Sequence, residues 1–129
     1  MFADVVVALM NVLEASGYAT GVSRPGTVPD KVFVQVGQIG GGPDTDSFAN
    51  EPVVDLTVYG RGYAETRREA LRVLRLVMDL RATATPQGFL FDAVSPTGPI
   101  WVENLNPEIT EFLITVNIRS RTRDHNLEV

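Results

Sequence analysis

The sequence predicts an α+β fold: a mainly antiparallel β-sheet with two helices packed on one face. Three observations carry this expectation. Strict period-two alternation appears in three stretches, around residues 31–37, 52–60 and 112–118. Helical spacing of apolar residues appears in two others, near residues 4–15 and 63–82. Their order along the chain is helix, strand, strand, helix, hairpin, strand, without the regular βα alternation of a parallel sheet. At 129 residues, with 44% hydrophobic and 21% charged side chains, the chain has the makings of one folded unit without a staple. It is read as one domain over residues 1–120 followed by a polar tail, 121–129.

The first helix, residues 4–15, stops at Gly17, a residue suited to the left-handed turn on which helices end. Only Asp4, Asn11 and Glu14 interrupt its apolar surface. A helix so apolar is expected to be buried on more than one side, with part of Val5, Leu9 and Leu13 left for a neighbouring subunit. In residues 31–37, Val32, Val34 and Val36 alternate with Phe33 and Gln35, which is a strand. Gly40, Gly41, Gly42 and Pro43, then Asp44, Asp46, Ser47 and Asn50, have no period and read as a long polar loop. Pro52 opens the second strand, with Val54, Leu56 and Val58 on one face and Asp55, Thr57 and Tyr59 on the other.

Gly60 and Gly62 end that strand, and residues 63–82 follow as an amphipathic helix with Ala70, Leu71, Leu74, Val77 and Met78 on its core face. Glu65, Arg68, Glu69, Arg72, Arg75 and Asp79 fall on the opposite face at spacings that allow pairing along the helix. Residues 89–94 and 100–105 are expected to form a hairpin across the turn-forming Ser95, Pro96, Thr97, Gly98 and Pro99. Phe112, Ile114, Val116 and Ile118 mark the last strand.

Little in the sequence points to chemistry. Its one histidine, His125, lies in the tail, where no third group holds it rigidly enough for a triad. Gly40, Gly41 and Gly42 lack the Gly-Lys-Ser/Thr ending of a phosphate cradle, and aspartates follow them. Asp44 and Asp46 have calcium-loop spacing, but Phe48 occupies the next ligand position and no glycine follows it. There is no cysteine, hence no disulfide and no thiolate zinc site. No cofactor or metal is expected, and no enzymatic activity.

A net charge of −5 and a pI near 4.7 disfavour a nucleic-acid surface. Arg67, Arg68, Arg72 and Arg75 form the one basic cluster, interleaved with acids. The apolar run from Val5 to Met10 is far too short to span a bilayer, and no secretory signal precedes it. Asp55, set between apolar neighbours, invites an arginine partner at a subunit contact. Trp101 is expected in the core or as an interface anchor.

Taken together, the apolar first helix, the Gly/Asp-rich loop, the run Pro52-Val53-Val54-Asp55-Leu56-Thr57-Val58-Tyr59-Gly60, the helix bearing Ala64 and Ala70, and the late strand from Phe112 to Ile118 resemble the tail terminator proteins of siphophages. That resemblance implies a bacteriophage structural protein, a virion component at the head-proximal end of the tail that assembles in the host cytoplasm. It implies a hexameric ring that caps the tail tube, ends tube polymerisation and offers the head-tail joining surface at the neck. Its partners would be its own copies, the tail tube protein and a head-completion protein. DNA would pass through the channel without specific binding, and a charge of about −30 from six copies at −5 each suits that passage. On this reading Val5, Leu9, Leu13, Asp55, Arg68 and Arg72 belong to the subunit interface, and the loop with Gly41, Asp44, Asp46 and Phe48 meets the tube or neck. Another neck or tail subunit, such as a head-closure or tube protein, fits the same pattern. A ligand-binding or enzymatic α+β domain is the more distant alternative.

Overall fold

The computed structural model of the chain describes residues 4–27, 29–41, 51–84 and 89–122. In chain order these form α1 (Val5–Ala15), β1 (Ala19–Gly21), β2 (Phe33–Gly40), β3 (Val53–Gly60), α2 (Tyr63–Met78), β4 (Thr83–Ala84), β5 (Phe89–Val102) and β6 (Thr110–Thr122). The strands make one six-stranded sheet in the order β1-β2-β3-β6-β5-β4. Every pairing is antiparallel except that of β1 with β2. The α+β class and the two helices on one face of a mainly antiparallel sheet are as the sequence predicts.

Local chemistry sets the helix ends. Asp4 caps α1, its carboxylate accepting from the Val6 amide at 2.9 Å. At the other end Gly17 takes φ +96°, and the Gly17 and Tyr18 amides donate back to the Glu14 and Leu13 carbonyls at 3.0 and 3.1 Å. The helix α1 packs on β1 and β2, and α2 on β3, β5 and β6. Between helices and sheet lies one core: Val34 and Val36 of β2, Val54, Leu56 and Val58 of β3, and Phe112, Ile114, Val116 and Ile118 of β6 meet Leu9, Leu13, Ala70, Val73 and Val77. Each such fully buried branched side chain contributes about 1.5–3 kcal/mol.

Four expectations are corrected. Val5, Leu9 and Leu13 are at most 1% exposed. They form the stripe of α1 that the sheet covers, so they are core residues and not subunit-interface residues. The expected hairpin does not form: β5 runs unbroken through Ser95 to Pro99, because the long β6 holds it in register from Phe89 to Val102. The turn-prone residues are absorbed as a bulge between Thr97 and Ile100, with Gly98 at φ +111°. The second helix ends at Met78, four residues early, and Ala82 at φ +62° marks the turn into β4. Its core face is Thr66, Ala70, Val73 and Val77, while Leu71 and Met78 are exposed. The last strand extends to Thr122, past the boundary expected at residue 120.

Candidate assembly surfaces

Alternation along the strands divides the sheet into a face under the helices and an open face. The open face carries Asp55, Thr57 and Tyr59 of β3 beside Leu113 and Thr115 of β6. Asp55 is half-buried there, and its partner is Thr115, whose hydroxyl donates to Asp55 Oδ1 at 2.8 Å. The expected arginine is thus replaced, within the chain, by a cross-strand hydroxyl. Further along, a polar cluster closes one corner of this face. The Tyr59 hydroxyl donates to Gln35 Oε1 at 2.8 Å, and Arg24 Nε donates to the same hydroxyl at 3.4 Å. Glu111, only 5% exposed, accepts from Asn104 Nδ2 at 2.8 Å and lies 3.8 Å from the Arg24 guanidinium. This cluster pins residue 24 and the segment around Asn104 to the sheet.

On the helical side, a cleft of about 340 Å³ opens between the end of α1 and the first turns of α2. The Tyr18 hydroxyl donates to Glu69 Oε2 at 2.6 Å, and Arg72 stacks over the Tyr18 ring at 5.3 Å while pairing with Glu69 at 3.8 Å. Burial pushes the Tyr18 phenol up to about 12, helped by the hydrogen bond to Glu69 and by its negative charge. Asp30, Lys31, Arg61 and Glu65 share the cleft wall. Acids and bases alternate there, and among the described residues no group of three or more His, Cys, Asp or Glu side chains is arranged to hold a metal ion.

Of the expected interface residues, Arg72 is engaged by Glu69 and Tyr18, whereas Arg68 is exposed and has no ion pair or hydrogen bond among the described residues. The same holds for Arg67 and Arg75, so the charge pairing expected along α2 reduces to Glu69 with Arg72. Gly41 follows β2 at φ +76°, and a side chain there would strike the Glu51 carbonyl. Asp44, Asp46, Phe48 and His125 lie outside the described residues.

Of the two places expected for Trp101, the core and an interface, the structure rules out the core, and the surface it shares with Leu105 beyond β5 was not otherwise foreseen. Trp101 is 54% exposed and Leu105 fully exposed. Trp101 and Tyr63 line a recess with Glu103, Asn104 and Pro107. The signal was the run Ile100-Trp101, which breaks the strand's alternation by placing large apolar side chains on both faces of an edge.

No protein-family model matches the chain, and no curated protein matches it. Among solved structures, a chain of the virion of a native gene transfer agent particle superposes with a TM-score of 0.50 at 14% identity. The superposition covers 92% of this chain and 87% of that one. Nearly end to end, then, the helices and sheet described above are a fold shared with a chain of that virion.

Proposed function

We propose that this chain is a structural subunit of a phage-like virion, and within it the tail terminator. In this reading, copies form a ring that caps the tail tube, ends its polymerisation and presents the surface to which the head joins. The observation that carries it is the fold shared, over almost all of both chains, with a chain of the gene transfer agent virion. The order of elements that resembles tail terminators lends further support. The role requires shape and surface and no catalytic group.

Its partners would be further copies of the chain, the tail tube protein and a head-completion protein, with DNA passing through the channel. Arg68 and the half-buried Asp55 are available for subunit contacts, and the segment from Gly41 through Asp44, Asp46 and Phe48 would meet the tube or neck.

The test uses the tail tube protein of the same particle. Tubes are grown in vitro with and without the chain and measured by negative-stain electron microscopy, with the chain tagged by gold. Growth arrest with gold at one tube end is expected. Unchanged tube lengths with no gold at the ends overturn the reading, and gold along the whole tube would mark a tube subunit instead.

A further inference from the structure

Trp101 is the chain's one tryptophan, and it stands half-exposed at the wall of a recess. With Tyr63, Pro107 and Ile109 it encloses about 280 Å³ beyond the end of β5. The walls are fixed in place. Trp101 sits opposite Phe112 across the strands, and the Tyr63 ring leans on the same phenylalanine with 5.3 Å between centroids. The loop after β5 is tied as well. The Asn106 amide donates to Asn104 Oδ1 at 2.9 Å, the Glu108 amide to Asn106 Oδ1 at 3.0 Å, and the Ile109 amide to the Asn106 carbonyl at 3.1 Å. A recess already held in shape loses little freedom when something enters it.

Its polar groups select the occupant. Glu103 brings to the recess an exposed carboxylate that has no hydrogen bond or ion pair among the described residues. Among those residues no arginine or lysine lines it: Arg67 stands one turn along α2 from Tyr63, and Arg24 is engaged by Glu111 and the Tyr59 hydroxyl. Asn104 is committed to Glu111 through Nδ2 and to the Asn106 amide through Oδ1, which leaves it little to offer the hydroxyls of a sugar. Aromatic faces beside an unpaired carboxylate are the surroundings of a cation.

Elsewhere the chain shows the same chemistry completed. Beyond the end of α1 the Arg72 guanidinium lies over the Tyr18 ring at 5.3 Å and pairs with Glu69 at 3.8 Å. The recess offers the same two partners, an aromatic face and a carboxylate, without the arginine. We propose that an arginine of a partner protein supplies it. The guanidinium stacks on Trp101 against Glu103, and the residues flanking that arginine cover Leu105, which is fully exposed in the loop beside the recess. Arginine suits the recess better than lysine, because its guanidinium is flat, weakly hydrated and carries a fork of N–H donors for which the Glu103 carboxylate and the Tyr63 hydroxyl are acceptors. The inference rests on this surface alone and goes beyond the virion reading.

Trp101 is also the reporter. Its fluorescence is followed while the full chain is titrated with the blocked peptide acetyl-Gly-Arg-Gly-amide, with the same peptide carrying lysine or citrulline in place of arginine, with free L-arginine and with methyl glucoside. A saturable change at about millimolar arginine peptide is expected, weaker with lysine and absent with citrulline, which keeps the shape of arginine and loses its charge. Glu103→Gln, at an exposed position and checked for unchanged thermal melting, should weaken the arginine peptide about fivefold. Added salt should weaken binding to the parent more than to that variant.

No saturable change with the arginine peptide, or equal binding of the lysine or citrulline peptide, overturns the proposal. So does a Glu103→Gln variant that binds as the parent does. Free L-arginine binding more tightly than the blocked peptide would assign the recess to the amino acid itself, and a response to the glucoside in place of the peptides would assign it to a sugar; either overturns the docking role. None of these titrations involves a tail tube, so tube capping without arginine binding would sink this inference alone, and arginine binding without tube capping would sink the virion reading alone.

Discussion

Thr66 and Gly60 show how closely α2 lies on the sheet. A Cβ on Gly60 would come within 2.6 Å of Thr66 Oγ1, and that hydroxyl is fully buried without a hydrogen-bond partner among the described residues. Replacing it by a methyl keeps the branched shape and removes an unpaired polar atom, so Thr66→Val should raise stability by about 1 kcal/mol in urea denaturation. Gly98 predicts the opposite sign. Its φ of +111° and the 2.6 Å approach of a Cβ to the Leu113 carbonyl make Gly98→Ala cost at least ~2 kcal/mol. Tyr18 adds a pH dependence. Unfolded, its phenol ionises near 10.0; folded, near 12. Between those values the unfolded chain has released a proton that the folded chain retains, so the unfolded state is favoured as pH rises. The stability Tyr18 confers is intact below about pH 10 and falls as pH climbs toward 12. Denaturation midpoints across that range should drop less in Tyr18→Phe than in the parent.

Among the elements, the three alternating strands and both helices were legible because each carries a regular burial period over seven residues or more. β1 was not, since Ala19, Thr20 and Gly21 are too few to show a period and are held by pairing with residues 33–35 of β2. The unbroken β5 was hidden by Pro96, Gly98 and Pro99, which signal a turn locally and are overruled by the length of β6. The same limit governed the surfaces. Val5, Leu9 and Leu13 looked surplus because periodicity gives the width of an apolar stripe but not how much sheet lies under it. The exposure of Trp101 depends on β5 having, among the described residues, only the two-residue β4 on its outer side, which only the strand order reveals. For α1, the cap is the accessible test: Asp4→Ala should lower stability by about 1 kcal/mol, measured by thermal melting.

For the molecule as a whole, charge is the property that composition alone fixes. At −5 per chain, with Glu65, Glu69 and Asp79 interleaved among the arginines of α2, the chain offers phosphates little net attraction. Duplex DNA should therefore show no mobility shift with the chain at physiological ionic strength. A shift that weakens steeply with added salt would contradict the proposed passage of DNA through the channel without specific binding.

The strand order has one more consequence, and it is kinetic. β6 lies between β3 and β5, although some fifty residues separate β3 from it along the chain. Until residues 110–122 have been synthesised, β3 has no neighbour on that side and β5 has nothing to hold it straight. The sheet therefore cannot close progressively as the chain emerges from the ribosome. Its central pairing waits for the last strand, and such distant pairings fold slowly, in about milliseconds to seconds. A chain stopped before residue 110 should lack the cooperative melting of the full sequence, and during translation it would expose the apolar faces of β2 and β3 to whatever chaperone is nearest.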